Sequence, residues 1–198
     1  MYCRSPLEIM TQASRLAELP NFGELNQSLS SYQGYGGQMR FLYAEIFGYG
    51  VPCREVIDEV AKYSPLLELG AGNGFWTFWL RRKGCDVIAT DAGEPDLYTK
   101  NRWIDDLLPL DAVTAVNSFP DRNILIVWPH FTAYWPVEII GKMKRSQILC
   151  YVGEGPLGCC APPSFFLEMN RCGLKMIYAS PSPSWPKVSD YLAIYMKM

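Results

Sequence analysis

The chain has 198 residues, 49% of them hydrophobic and 19% charged, with a formal net charge of −2. That is ample core for one α/β domain with a short extension, and it lacks the low-hydrophobicity signature of disorder. No long basic run occurs, which argues against an extended nucleic-acid surface. No apolar run approaches the ~18 residues of a membrane span. A charged-then-apolar leader is absent from the first residues, so a cytoplasmic setting is expected.

Seven cysteines stand at positions 3, 53, 85, 150, 159, 160 and 172. The odd number and the lack of a Cys-x-x-Cys pair predict reduced, mostly buried thiols. The single histidine, His130, cannot complete the usual Cys/His ligand sets, and no metal site is expected.

In chain order, Ser5-Pro6-Leu7-Glu8 predicts a helix start with a capping box. Leu7, Met10, Ala13 and Ala17 then share one face, and Pro20 ends the element. The polar stretch from Ser28 to Gly37, with Tyr32 and Tyr35, reads as a loop. Gln38 to Phe47 reads as a helix broken by Gly48 and Gly50. Pro52 opens another, with Val56, Ile57 and Val60 facing inward.

From Leu66 onward short apolar strands alternate with helices. Strands are predicted at 66–69, 86–90, 123–127, 147–152, 174–179 and 191–197, and helices at 75–83, 111–118, 136–143 and from Pro162 to near Gly173. Pro181 to Pro186 reads as a stiff, exposed connector. Such alternation implies a largely parallel sheet covered on both faces, with ligands at the carboxyl ends of the strands.

The informative segment is Leu66-Leu67-Glu68-Leu69-Gly70-Ala71-Gly72-Asn73-Gly74, a strand running through alternate glycines into a helix. Glycines let the chain turn tightly and let a ligand lie against bare backbone. Asp91 ends the next strand, where a carboxylate would accept hydrogen bonds from both ribose hydroxyls of a nucleoside. The plainer alternative is a structural turn followed by an ordinary loop acid. A dinucleotide site fits less well. Phe75 stands where close helix packing wants Gly or Ala, about sixty residues precede the turn, and no Tyr-x-x-x-Lys pair occurs.

Glu68 to Gly74 resembles motif I of the class I S-adenosylmethionine-dependent methyltransferases. The resemblance implies a Rossmann-like three-layer sandwich with a mostly parallel sheet and an antiparallel closing strand over residues 63–198. An N-terminal helical extension or lid over 1–62 precedes it. It implies S-adenosylmethionine as cofactor, with Glu68 at the amino-acid end of the ligand, Gly70, Gly72 and Gly74 cradling its centre, and Asp91 on the ribose. Asp111 resembles the acid that meets the adenine, with a helix N-cap as the alternative. Ala71, Asn73, Phe75 and Trp128 complete the expected binding set. The segments 44–52, 67–91, 125–129 and 151–154 together are similar to a little-characterised methyltransferase-like group with Trp-Pro-Pro after the fourth strand of that fold; here His130 replaces the second proline.

Trp128-Pro129-His130-Phe131 is similar in position to the Asn/Asp-Pro-Pro-aromatic motif of amino-group methyltransferases, without its Asn or Asp. His130 and Glu154 are the candidate catalytic groups. Their plainer readings are a packing imidazole and a solvated turn acid. Tyr32, Tyr35 and Tyr49 either form a lid or pack on the sheet. Trp76 and Trp79 read as core. The expected function is methyl transfer from S-adenosylmethionine to an unidentified small acceptor. A non-catalytic S-adenosylmethionine-binding protein and an NAD(P)-dependent oxidoreductase are the competing readings. The oligomeric state is left open.

Overall fold

A computed structural model describes residues 4–34, 36–93 and 101–198. Cys3 and Tyr35 lie outside the described residues. Four helices come first: α1 (Pro6–Leu16), α2 (Phe22–Ser30), α3 (Gly37–Phe47) and α4 (Arg54–Ala61). The alternating part follows as β1 (Leu66–Leu69), α5 (Phe75–Arg82), β2 (Val87–Thr90), α6 (Ala112–Ser118), β3 (Asn123–Val127), α7 (Trp135–Lys142), β4 (Ile148–Gly153), α8 (Pro163–Arg171), β5 (Leu174–Pro181) and β6 (Tyr191–Lys197). No helix among the described residues is long and apolar enough to cross a membrane.

The first helix starts as its sequence predicts. Glu8 N–H donates to Ser5 Oγ at 3.2 Å, and Ser5 N–H donates back to Glu8 Oε2 at 2.8 Å. Ser5→Ala removes the acceptor for a helix-start amide and is expected to cost about 1 kcal/mol of stability, readable by urea unfolding.

The second helix departs from expectation, because the loop predicted from Ser28 is helical to Ser30. Asn21 caps it by accepting the Glu24 N–H at 2.9 Å, and Leu25 and Leu29 are fully buried. Ser28 joins them in the interior by donating its hydroxyl to the Arg4 carbonyl at 2.6 Å. Tertiary burial outweighs the weak helix preference of serine here.

The sheet has six strands in the order β2-β1-β3-β4-β6-β5. The first four run parallel, and β6 runs antiparallel to both β4 and β5. The fold is therefore a Rossmann-like α/β sandwich with one antiparallel closing strand. Strands β1 and β4 are buried along their whole length, as strands covered on both faces must be. Alternate residues supply the two cores. Leu66, Leu125, Cys150 and Ile194 face α1 to α5, while Leu67, Ile124, Leu149 and Tyr195 face α6 to α8. The N-terminal helices thus share a core with one face of the sheet.

Residues 181–186 do not form the exposed connector expected from their prolines. Ser182, Pro183 and Trp185 are buried, and the Trp185 ring packs edge-on against Tyr32 and Tyr43 at 5.9 and 5.8 Å. Proline stiffens the segment but does not decide its exposure, and the indole draws it inward.

Two features place the site. Strand β1 is flanked by β2 on one side and β3 on the other, so the chain reverses its winding there and leaves a crevice at the carboxyl end of β1. On the outer side of β2, Leu108 makes a single parallel bridge to Thr90 and accepts the Asp91 N–H at 3.1 Å, fixing where Asp91 leaves the sheet.

Candidate functional site

The turn after β1 is closed from within. Gly74 N–H donates to the Ala71 carbonyl at 2.9 Å, and Ala71 N–H donates to the Thr90 carbonyl at 3.0 Å. Gly72 N–H donates to Asp91 Oδ2 at 2.8 Å, while Gly93 N–H donates to the other oxygen, Oδ1, at 3.0 Å. Gly72 has φ 57, and a Cβ there would meet nothing within 4 Å, so its bare backbone faces open space.

Asn73 serves the turn itself. Its Oδ1 accepts the Phe75 N–H at 3.3 Å, and its Nδ2 donates to the Ile46 carbonyl at 2.8 Å. Trp103 Nε1 donates to that same carbonyl at 2.7 Å, and Trp76 Nε1 donates to the Gly50 carbonyl at 3.1 Å. Three side-chain donors therefore bind the end of α3 and the following Gly48-Tyr49-Gly50 segment to the glycine turn.

Glu68 is 2% exposed and points toward α5, where its Oε2 accepts the Thr77 hydroxyl. Burial pushes its carboxyl up to about 7 against the pull of the Thr77 bonds, and the nearby Asp91 charge adds to the rise.

These elements enclose a cleft of about 550 Å³. Its walls are Glu68, Gly70 to Asn73, Phe75, Trp76 and Asp91 on the turn side, and Phe47 to Gly50 from the end of α3. Val127 to Phe131 after β3, with Trp135 and Cys159, close the far side. The cleft thus brings together Glu68, Gly70, Ala71, Gly72, Asn73, Phe75, Asp91, Trp128 and His130, but not Gly74, Asp111 or Glu154.

Each of the three absent residues has another task. A Cβ on Gly74 would lie 2.4 Å from Ile104 Cγ1, so that glycine serves packing behind the turn. Asp111 is the N-cap of α6. It accepts the Thr114 hydroxyl at 2.6 Å and the Thr114 N–H at 2.9 Å, which together hold its carboxyl below the ordinary range. Glu154 Oε2 accepts the Cys159 N–H and thiol, both at 2.8 Å, and its Oε1 accepts the Ser189 N–H at 3.1 Å. Burial pushes the Glu154 carboxyl up, but those bonds and the Arg40 charge outweigh it and leave it lowered. Its carboxylate closes a loop rather than facing the cleft.

His130 is exposed on the cleft wall. Its Nδ1 accepts the Thr132 N–H at 3.3 Å and lies 2.7 Å from the Thr132 hydroxyl. With Nδ1 accepting, the proton of the neutral ring is assigned to Nε2, so the side chain offers a donor rather than a free basic nitrogen. Trp128 has φ 49, uncommon for so bulky a residue, and its N–H donates to the Val152 carbonyl at 2.8 Å. Its ring stacks on Tyr49 at 5.5 Å, with the Arg40 guanidinium 5.1 Å from its centroid. Tyr32, by contrast, packs on Trp185 away from the cleft.

Sequence reasoning did not assign Phe47, Gly48, Gly50, Trp135 and Cys159 to the site. The paired glycines around Tyr49 were the available signal for the first three.

No family model matches the chain, and no curated protein matches it. Among solved structures, it is similar to an S-adenosylmethionine-dependent methyltransferase from Archaeoglobus fulgidus (TM-score 0.49, 15% identity, covering 79% of this chain and 99% of that one). It is also similar to the CcbJ methyltransferase from Streptomyces caelestis (TM-score 0.49, 13% identity, 73% and 94% covered). A third is the 1,6-didemethyltoxoflavin-N1-methyltransferase from Burkholderia thailandensis (TM-score 0.46, 15% identity, 73% and 77% covered). The strand order and the glycine turn, rather than these distant likenesses, define the fold as Rossmann-like.

Proposed function

We propose that the chain binds S-adenosylmethionine in this cleft and transfers its methyl group to a small acceptor. The charge of the lining carries the reading. Glu68 and Asp91 line the cleft, and among the described lining residues there is no Lys or Arg. The amides of residues 71, 72, 74 and 75 are already donating within the protein. A dinucleotide would bring an anionic pyrophosphate to that acidic surface, where it needs free amides or cations. A ligand with a cationic ammonium and sulfonium suits it instead.

When bound, S-adenosylmethionine supplies an electrophilic methyl group. The chain's part is to hold it. Gly72 gives its backbone surface, Asp91 accepts from the ribose, and Glu68 faces the ammonium end. In this reading residues 1–62 form an extension that reaches the site through Phe47 to Gly50, and 63–198 form the binding domain. The hydrogen bonds onto Ile46 and Gly50 support that division of labour. The free thiols suit a reducing, cytoplasmic setting. One observation favours a second reading, a binding module without transfer: His130 and Glu154 both spend their acceptor atoms inside the protein.

Calorimetry tests the proposal. S-adenosylmethionine and S-adenosylhomocysteine are expected to bind and NADH is not; binding of NADH alone would overturn it. The pH dependence follows from Glu68. A cationic ligand favours the ionised carboxylate, so S-adenosylmethionine affinity is expected to rise about five- to tenfold from about pH 6 to 7.5, and Glu68→Gln to flatten the rise. The ligand-free protein gives an independent check. Unfolded Glu68 loses its proton near 4.5 and the folded form keeps it to about 7. Its contribution to stability is therefore full below the lower value and lost as pH rises through the upper one. Asp190, whose carboxyl burial also pushes up to about 7, acts in the same direction, so Glu68→Gln removes only part of that loss.

A further inference from the structure

Resting on the methyl-transfer reading, we infer that the acceptor is a small, flat, uncharged heteroaromatic molecule that docks on the aromatic far wall of the cleft. Two independent features of that wall point to it.

The first is its surface. Trp128, Phe131 and Trp135 line that wall, and Tyr49 stacks on Trp128 from the end of α3. Phe131 stays 53% exposed, with its ring packed only partly on His130, at a centroid distance of 4.6 Å. Flat rings gain offset-stacked or edge-on contacts on such a wall that a saturated molecule of equal size does not. A phosphate or carboxylate on the acceptor would meet no Lys or Arg among the described lining residues, and the Arg40 guanidinium beside Trp128 already shares its charge with the Glu154 carboxylate.

The second is the state of the groups that would act as bases. On that wall His130 Nδ1 is engaged by Thr132, and Glu154, whose two oxygens are engaged by Cys159 and Ser189, lies outside the cleft. The wall therefore suits a nucleophile that carries its lone pair at neutral pH unaided, as an aromatic ring nitrogen does. An alcohol or an alkylammonium, which must first lose a proton, is poorly served. In the transfer the ring-nitrogen lone pair forms the bond to the methyl carbon, the carbon–sulfur bond breaks, and its electron pair returns to sulfur. The sulfonium becomes a neutral thioether and the positive charge passes to the methylated ring. No proton moves, so no base is required.

The test measures binding in two stages. Calorimetry first titrates S-adenosylhomocysteine into the full chain; failure to bind would remove the methyl-transfer reading and this inference together. The protein saturated with that compound is then titrated with three probes, followed by saturation-transfer NMR and tryptophan fluorescence: quinoline, a saturated bicyclic alcohol of the same size, and naphthalene-2-sulfonate. Quinoline is expected to bind about tenfold or more tightly than either of the others. Phe131→Leu keeps an apolar side chain at an exposed position where folding is not at risk. It is expected to lower quinoline affinity several-fold more than it lowers S-adenosylhomocysteine affinity. If S-adenosylhomocysteine binds but the three probes bind alike, or quinoline ignores Phe131→Leu, the acceptor class is wrong while the methyl-transfer reading stands.

Discussion

Asp91→Asn is expected to weaken S-adenosylmethionine binding by about ten- to a hundredfold, as charge-assisted hydrogen bonds of about 1.5–3 kcal/mol are lost. The carboxylate does two jobs. Each oxygen accepts one amide of the loop, from Gly72 and from Gly93. Each also keeps a further lone pair for a ribose hydroxyl. Asparagine replaces one of those acceptors with an NH₂ group, which then faces a backbone N–H with nothing to offer it. The turn and the ligand contact suffer together, although the side chain is almost isosteric. Because Asp91 is only half-buried, the melting temperature is expected to fall far less than the affinity. Calorimetry beside a thermal melt separates the two effects. A folded variant that binds as tightly as the parent would show that Asp91 serves the loop alone.

Parts of this site were legible because they follow from local chemistry. The alternation of short apolar strands with helices was enough for the parallel sheet, and glycines at alternate positions after Glu68 were enough for the turn. What stayed hidden depends on distant neighbours. Helix α2 contains serines that read as loop until Leu25 and Leu29 are seen buried. The proline-rich stretch around Trp185 reads as surface until its ring is seen between Tyr32 and Tyr43. Polar side chains at strand ends were the hardest. Asp111 and Glu154 both stand where a ligand group would be expected, yet each satisfies backbone amides of its own loop or helix. A carboxylate beside a turn can do either, and only the hydrogen-bond partners decide.

Gly74 shows the same ambiguity in a residue with no side chain, and Gly74→Val is the variant expected to disturb the fold most directly. The glycine opens α5 at φ 80, which costs a β-branched side chain about 1–2 kcal/mol. Its Cβ would lie 2.4 and 2.7 Å from Ile104 Cγ1 and Cδ1, and Ile104 is itself 8% exposed with little room to withdraw. Overpacking of that kind adds about 1–3 kcal/mol. Together these give about 2–5 kcal/mol, or roughly 4–20 °C in melting temperature for a chain of this length. The effect should also reach the cleft. Ile104 follows Trp103, whose backbone N–H holds the Asn73 carbonyl and whose indole holds Ile46. The two contributions separate in the double variant Gly74→Ala with Ile104→Ala. Its steric part is relieved and its backbone part remains, so the pair should be less destabilised than the two single variants summed. A Gly74→Val protein that melts within about a degree of the parent would show that Ile104 yields freely and that the turn tolerates a side chain at this position.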